Sequence, residues 1–185
     1  MHARTEAVDS VDAAAVLQKW QEQEAAVRAR LSHSGVAELS QVAGKTGLEV
    51  MQAMLAGELP YPPIAETLDF GLIEVDFGRA VFQGTPKFRH YNPLGSVHGG
   101  WFATLLDSAV GCAVHTTMPV GKSYTTAELK INIVRPLSER IPLVRAIGTV
   151  IHGGNRMATA EGRLVGPDGK LYAHATTTCF IFDMK

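Results

Sequence analysis

The stretch Trp101–Val114, WFATLLDSAVGCAV, constrains the fold of this chain more than any other segment. It is long enough for a helix and apolar on every side, so it is expected to be buried all round. Asp107 is its only residue charged at neutral pH. A carboxylate removed from water is costly unless it is paired or hydrogen-bonded, and Asp is a mediocre residue for a helix interior. A purely structural Asp107 would need a specific partner, such as Ser108 or a loop donor. A functional carboxylate explains its position better.

The residues just before this helix carry a second signal. His98-Gly99-Gly100 puts two residues without side chains where the first turn begins. Backbone N–H groups there have no partner within the helix, and the helix dipole turns its positive end toward them. Glycine lets a ligand approach the backbone closely. Such a turn can hold a carbonyl oxygen and stabilise negative charge developing on it. Gly99 and Asp107 are eight residues apart, or about 12 Å along a helix axis. One carbonyl cannot touch both within a single chain. If both act on one carbon, Asp107 comes from a second copy, which places active sites at a homodimer interface.

From Thr67 onward the pattern is that of strands flanking this helix. Thr67–Val75 and Arg79–Thr85 read as two strands turning at Gly78, and Phe88–Val97 reads as a loop. The helical stretch runs over Gly99–Thr117. In Tyr124–Val134, Ala127, Leu129, Ile131 and Ile133 share one face, while Glu128, Lys130 and Asn132 share the other. That alternation describes a half-buried strand. Leu143–Ile151, Arg156–Val165 and Leu171–Phe182 follow, with turns at His152–Asn155 and at Pro167-Asp168-Gly169. Two strands, a helix and four strands with hairpin-length links fit an antiparallel sheet around one helix, an α+β domain.

Residues 1–63 differ, and read as a helical extension before a domain of residues 64–185. Val11–Leu31 is rich in Ala, Gln, Glu and Arg, with Leu17, Trp20, Val27 and Leu31 near one helical face. A charged helix of this kind is expected to be a solvated face with a stripe of contacts. A second helix is expected over Gly47–Ala56, stopped by Gly57 and by the breakers Pro60, Pro62 and Pro63. With a formal net charge of −1, nothing points to nucleic acid or an anionic membrane as partner. Cys112 and Cys179 sit in apolar runs without ligand spacing and are expected to be reduced, buried core residues of a cytoplasmic protein. No leader pattern and no uninterrupted apolar run of membrane-spanning length is evident.

Residues 91–107, YNPLGSVHGGWFATLLD, resemble the signature of the PaaI-type hotdog acyl-CoA thioesterases: Asn, five residues, His-Gly-Gly, six residues, then an acidic residue on the helix. Asn92, His98, Gly99, Gly100 and Asp107 match it, and the similarity covers about residues 64–182. The resemblance implies a hotdog fold, a sheet wrapped around a long central helix. It implies that Gly99 N–H polarises the thioester carbonyl and that Asp107 of the partner subunit acts as general base or nucleophile. Asn92 and His98 would orient the carbonyl, the water or the glycine loop. Thr126 would supply a hydroxyl near the attacking water, with Thr125 the alternative if the register slips by one. Gly100, and the turn Gly154-Asn155 with Arg156 and Arg135, would contact substrate, the arginines facing the phosphates of CoA. Partners would be acyl-CoA and a second copy of the chain, as a dimer and by family expectation a tetramer. No metal or cofactor is expected beyond the CoA carried by the substrate.

The chemistry is coherent because a thioester carbonyl is reactive and its thiolate leaves easily. Oxyanion stabilisation and one carboxylate can then suffice without a Ser-His-Asp triad. No nucleophile elbow, zinc-protease motif or Walker-type phosphate loop is present. Rival readings are a hydratase or dehydratase acting on acyl thioesters, a non-catalytic acyl-CoA sensor, and a thioesterase serving an acyl-carrier protein. Trp101, Phe102, Leu105 and Met118 stand where core residues or acyl-pocket walls would be, and His90, His115 and His174 read as structural or surface groups.

Overall fold

The structure, a computed structural model, describes residues 12–184. Helix α1 spans Ala13–Arg28, capped by Asp12, whose side chain accepts hydrogen bonds from the Ala14 and Ala15 N–H groups. Its expected start at Val11 lies outside the described residues. Helix α3, Gly47–Ala56, has the bounds expected from sequence. A Thr46–Glu49 capping box opens it, and Gly57 in the left-handed conformation closes it.

Two short helices were not expected. They are α2, Leu39–Val42, and α4, Pro63–Leu68. In α4 the proline expected to break the chain sits instead in the first turn, where its missing N–H costs nothing. The strand expected from Thr67 therefore starts later, after Asp69 at φ 56°. Strand β1 is Phe70–Asp76 and β2 is Arg79–Gly84. After a 3₁₀ turn at Phe88–His90 comes α5, Gly99–His115, followed by β3, Lys122–Ile133, β4, Val144–Gly153, β5, Met157–Val165, and β6, Leu171–Asp183.

The six strands form one antiparallel sheet in the order β1-β2-β4-β5-β6-β3. The links β4–β5 and β5–β6 are hairpins, as expected. The β3–β4 link is not, because β3 pairs with β6 at the far edge and the chain must cross back to β4. Helix α5 lies against the sheet, with Trp101, Phe102, Leu105, Leu106, Ala109 and Val110 all buried. The sheet makes room for it with two glycines paired across strands, Gly148 and Gly162. A Cβ on Gly148 would stand 2.2 Å from the Ala109 carbonyl oxygen, and one on Gly162 would stand 2.7 Å from Val110 Cγ1. Any side chain there would lift the helix off the sheet.

The helix is not buried all round in a single chain. Gly100, Ala103, Thr104, Asp107, Ser108 and Cys112 form a stripe that stays partly open. The even alternation expected in β3 also fails at one point. A bulge between Thr126 and Glu128 leaves Ala127 as an exposed extra residue. Leu129, Ile131 and Ile133 pair with Thr177, Ala175 and Ala173 of β6, while Thr126 pairs with Cys179. One extra residue flips the side-chain phase, so Thr126 joins the helix-facing side in place of Ala127.

Helix α1 lies against the outer face of the sheet through polar contacts. The Arg145 guanidinium donates to Gln83 Oε1 at 2.8 Å, Glu74 Oε1 at 2.9 Å and Gln23 Oε1 at 2.9 Å. It also stacks over the Trp20 ring, 4.5 Å from its centre. Gln83, fully buried, donates to Glu24 Oε2 at 2.7 Å. The inward stripe of α1 is thus more than the apolar positions expected from sequence.

Candidate active site

His98 is the N-cap of α5, in extended conformation, and its Nδ1 accepts the Gly100 N–H at 2.8 Å. The imidazole takes the place usually filled by a Ser, Thr or Asp side chain. The Gly99 N–H has no acceptor among the described residues. Of the two glycine donors that the sequence singled out, one is already used by His98 and the other is open. A Cβ on Gly99 would stand 3.2 Å from Ile133 Cδ1, so the residue faces the strand side of the helix start. The open donor borders a groove of about 290 Å³ whose walls include Asn92, Phe102, Ile133, Val134 and Arg135.

The loop leading into this turn is held by Asn92. Its Oδ1 accepts the Leu94 and Ser96 N–H groups at 2.9 and 3.3 Å, and its Nδ2 donates to Ser96 Oγ at 3.1 Å. The His98 N–H donates to the His90 carbonyl at 2.8 Å, and Val97 N–H to Leu137 at 3.0 Å. Asn92 therefore spends its polar atoms on its own loop. Arg135 lies at the other wall, where its Nη1 donates to the Leu171 carbonyl at 2.8 Å.

Asp107 is half-buried, two turns further along α5. Its Oδ1 accepts a hydrogen bond from Thr126 Oγ1 at 3.1 Å. The bulge at Ala127 is what turns Thr126, and not Thr125, toward the helix. The partner is thus a strand hydroxyl, not the Ser108 considered from sequence. Cys112 and Tyr124 lie close by. Burial pushes the Cys112 thiol up to about 12, with the Asp107 charge adding to the effect. A thiol held that far up is protonated at neutral pH and is a poor nucleophile. Both cysteines are free, Cys179 buried and Cys112 only half-buried, a departure from the fully buried pair expected.

The turn carrying Gly154, Asn155 and Arg156 lies at the opposite end of α5. Gly154 N–H donates to the Met157 carbonyl at 3.0 Å, and Arg156 is exposed. Gly154 and Asn155 border a second groove, of about 420 Å³, with Phe77, Met118, Pro119 and Ile181. Within one chain, Gly99 and Arg135 mark one end of the helix, Asp107 and Thr126 its middle, and the Gly154–Arg156 turn the far end. Of the other histidines, His174 is exposed, whereas burial lowers the pKa of His90 and of His115.

An antiparallel sheet packed on one long central helix, with an open N–H at the helix start, defines a hotdog-fold protein. The family model of the thioesterase superfamily matches residues 94–173. A candidate esterase of Saccharolobus solfataricus is 30% identical over 122 residues, 66% of this chain and 85% of that one. The crystal structure of a candidate thioesterase related to phenylacetic acid degradation, from Ralstonia eutropha, is 32% identical. It superposes with a TM-score of 0.64 over 70% of this chain and 97% of its own. A mutant of the phenylacetic acid degradation protein PaaI from Thermus thermophilus is 29% identical, with a TM-score of 0.57, covering 64% of this chain and 97% of that one. The chain belongs to the thioesterase superfamily, and its class of chemistry is thioester hydrolysis. Among the described residues, no helix is long and apolar enough to cross a membrane.

Proposed function

We propose that this protein is an acyl-CoA thioesterase whose active sites are shared between two copies of the chain. The open Gly99 N–H at the positive end of α5 carries the reading. The carbonyl oxygen of the thioester accepts this N–H, which strengthens as negative charge develops on the oxygen. Asp107 of the second copy takes a proton from water, and the water oxygen bonds to the carbonyl carbon. The tetrahedral intermediate then collapses, the carbon–sulfur bond breaks, and CoA leaves as thiolate to be protonated, with the carboxylic acid as the other product. Asp107 attacking directly is the nucleophilic variant of the same step. Thr126, bonded to Asp107, orients the carboxylate and the water. His98 and Asn92 act by holding the turn. Arg135 and the Gly154-Asn155-Arg156 turn, with Gly100, lie along the path of the CoA portion.

Two features support the shared site. The separation of Gly99 from Asp107 along the helix, about 12 Å, is too great for one carbonyl. The open stripe of α5 and the unpaired edge of β3 are both surfaces a second copy can cover. A two-fold partner with its helix antiparallel would set its Gly99 beside Asp107, and its own helix start toward the Gly154 turn. A dimer is the minimum assembly this requires, and a tetramer would be two such dimers. Thiol release from aryl, short-chain and medium-chain acyl-CoA esters, with wild type and Asp107→Asn side by side, tests the reading. Wild type should release thiol, and Asp107→Asn should lose about two orders of magnitude in turnover while keeping its oligomeric state. Near-normal turnover in the variant would remove Asp107 from the mechanism.

A further inference from the structure

Segments ahead of β1 hold α5 at both ends. At the far end, the Gly47 N–H donates to the Met118 carbonyl at 2.9 Å, and a Cβ on Gly47 would stand 1.8 Å from the His115 carbonyl oxygen. At the near end, the grip runs through one side chain. Trp101, 3% exposed, donates its indole Nε1–H to the carbonyl of Leu68, the last residue of α4, at 2.9 Å. Its ring stacks on His90, with centroids 5.4 Å apart. On another side it meets β2, where a Cβ on Gly84 would stand 2.9 Å from the ring.

Trp101 is also tied to the glycine turn by backbone. Its N–H donates to the His98 carbonyl at 3.0 Å, and the His98 N–H donates to the carbonyl of the same His90 on which the indole stacks. Turning the first turn of α5 about its axis, which would re-aim the Gly99 N–H, requires the indole to move. Three separate elements block that movement: α4, the 3₁₀ turn and β2.

We infer that Trp101 is a positioning residue for the Gly99–Gly100 turn, and that helix α4 reaches the oxyanion-binding end of α5 through the Leu68–Trp101 hydrogen bond. The inference rests on Gly99 N–H being the donor that polarises the carbonyl. Trp101 itself is buried. Its contribution is to keep the donor within the narrow range of direction where it helps the transition state more than the ground state.

The test uses the full chain and two variants. Trp101→Phe keeps an aromatic ring beside His90 but removes the indole N–H. Gly84→Ala removes nothing and presses on the indole from β2, with Leu105 Cδ2 equally close at 2.9 Å. Turnover and KM are measured for thiol release, and backbone hydrogen exchange is followed at Gly100, whose N–H bonds to His98. Both variants should lose about tenfold in kcat with KM within about twofold, and Gly100 should exchange faster. A fall in melting temperature with kcat per folded subunit unchanged would overturn the inference. So would a loss confined to KM, which would make Trp101 a pocket wall. If wild type releases no thiol from any ester, the hydrolase reading falls, and hydrogen exchange alone decides the positioning. Unchanged Gly100 exchange in both variants would then overturn it, and faster exchange would uphold it.

Discussion

At residue scale, the open Gly99 N–H can be deleted almost without touching the fold. Gly99 is the first residue of α5, a position that tolerates proline, and His98 before it already has φ −63° and ψ 139°. Gly99→Pro should therefore fold normally and lose about two orders of magnitude in turnover, the scale of a lost oxyanion donor. Thiol-release kinetics with a parallel thermal melt checks this, and turnover within a few fold of wild type would acquit the N–H. The pattern Asn92…His98-Gly99-Gly100…Asp107 stands out in the sequence because its residue types are expensive or unusual where they stand. The division of labour between the two glycines does not. It depends on the His98 ring turning back to take one N–H, a rotamer choice that no spacing encodes. Thr126 was selected over Thr125 by the bulge at Ala127, and a strict alternation cannot reveal an extra residue.

Among elements, α1 shows what a helix face read by hydrophobicity alone leaves out. Gln23 and Glu24 share its inward side with Trp20 and Val27, and they meet Arg145 and Gln83 there. These partners are 122 and 59 residues apart in the chain, so each looks like an ordinary surface residue until the sheet assembles. Arg145→Ala would leave the fully buried Gln83 Oε1 without its donor, while Glu74, partly exposed, keeps Arg79. It should cost about 1–3 kcal/mol, measured by urea unfolding, and a loss below about 1 kcal/mol would mean that water replaces the guanidinium. The C-terminal turn of α5 carries a pH dependence. Burial holds His115, and likewise His90, below the ordinary histidine value. The unfolded chain then binds protons first as pH falls through about 6.5. Stability should be level above that pH and decline below it. Melting temperatures at pH 7.5 and 5.5 should show the drop, and His115→Gln should shrink it. An equal drop in the variant would assign the effect elsewhere.

For the whole molecule, the shared site makes a prediction that no single-chain site can meet. Asp107→Asn and Gly99→Pro chains are each expected to be inactive alone. Refolded together at equal concentration, half of the dimers would be mixed, and each mixed dimer would hold one intact site of two. Activity should recover to about a quarter of the wild-type value, from two-fold symmetry and random pairing. Mixtures no more active than the separate variants would mean that Gly99 and Asp107 do not meet across two copies of the chain.

The sequence by itself determined the chain order of the strands about the central helix, the glycine turn and the lone carboxylate. Each follows from local rules: apolar periodicity, turn residues, and the cost of placing a charge or a helix breaker where it stands. Only the tertiary structure decided the strand order, with β3 at the edge beside β6 and not next to β4. It also decided the open stripe on α5, the Thr126–Asp107 pairing, and the hold of α3 and α4 on the two helix ends. The physical reason is the same in each case. These features depend on contacts between segments far apart in the chain, where packing volume and hydrogen-bond geometry select one partner among several that local pattern leaves equivalent.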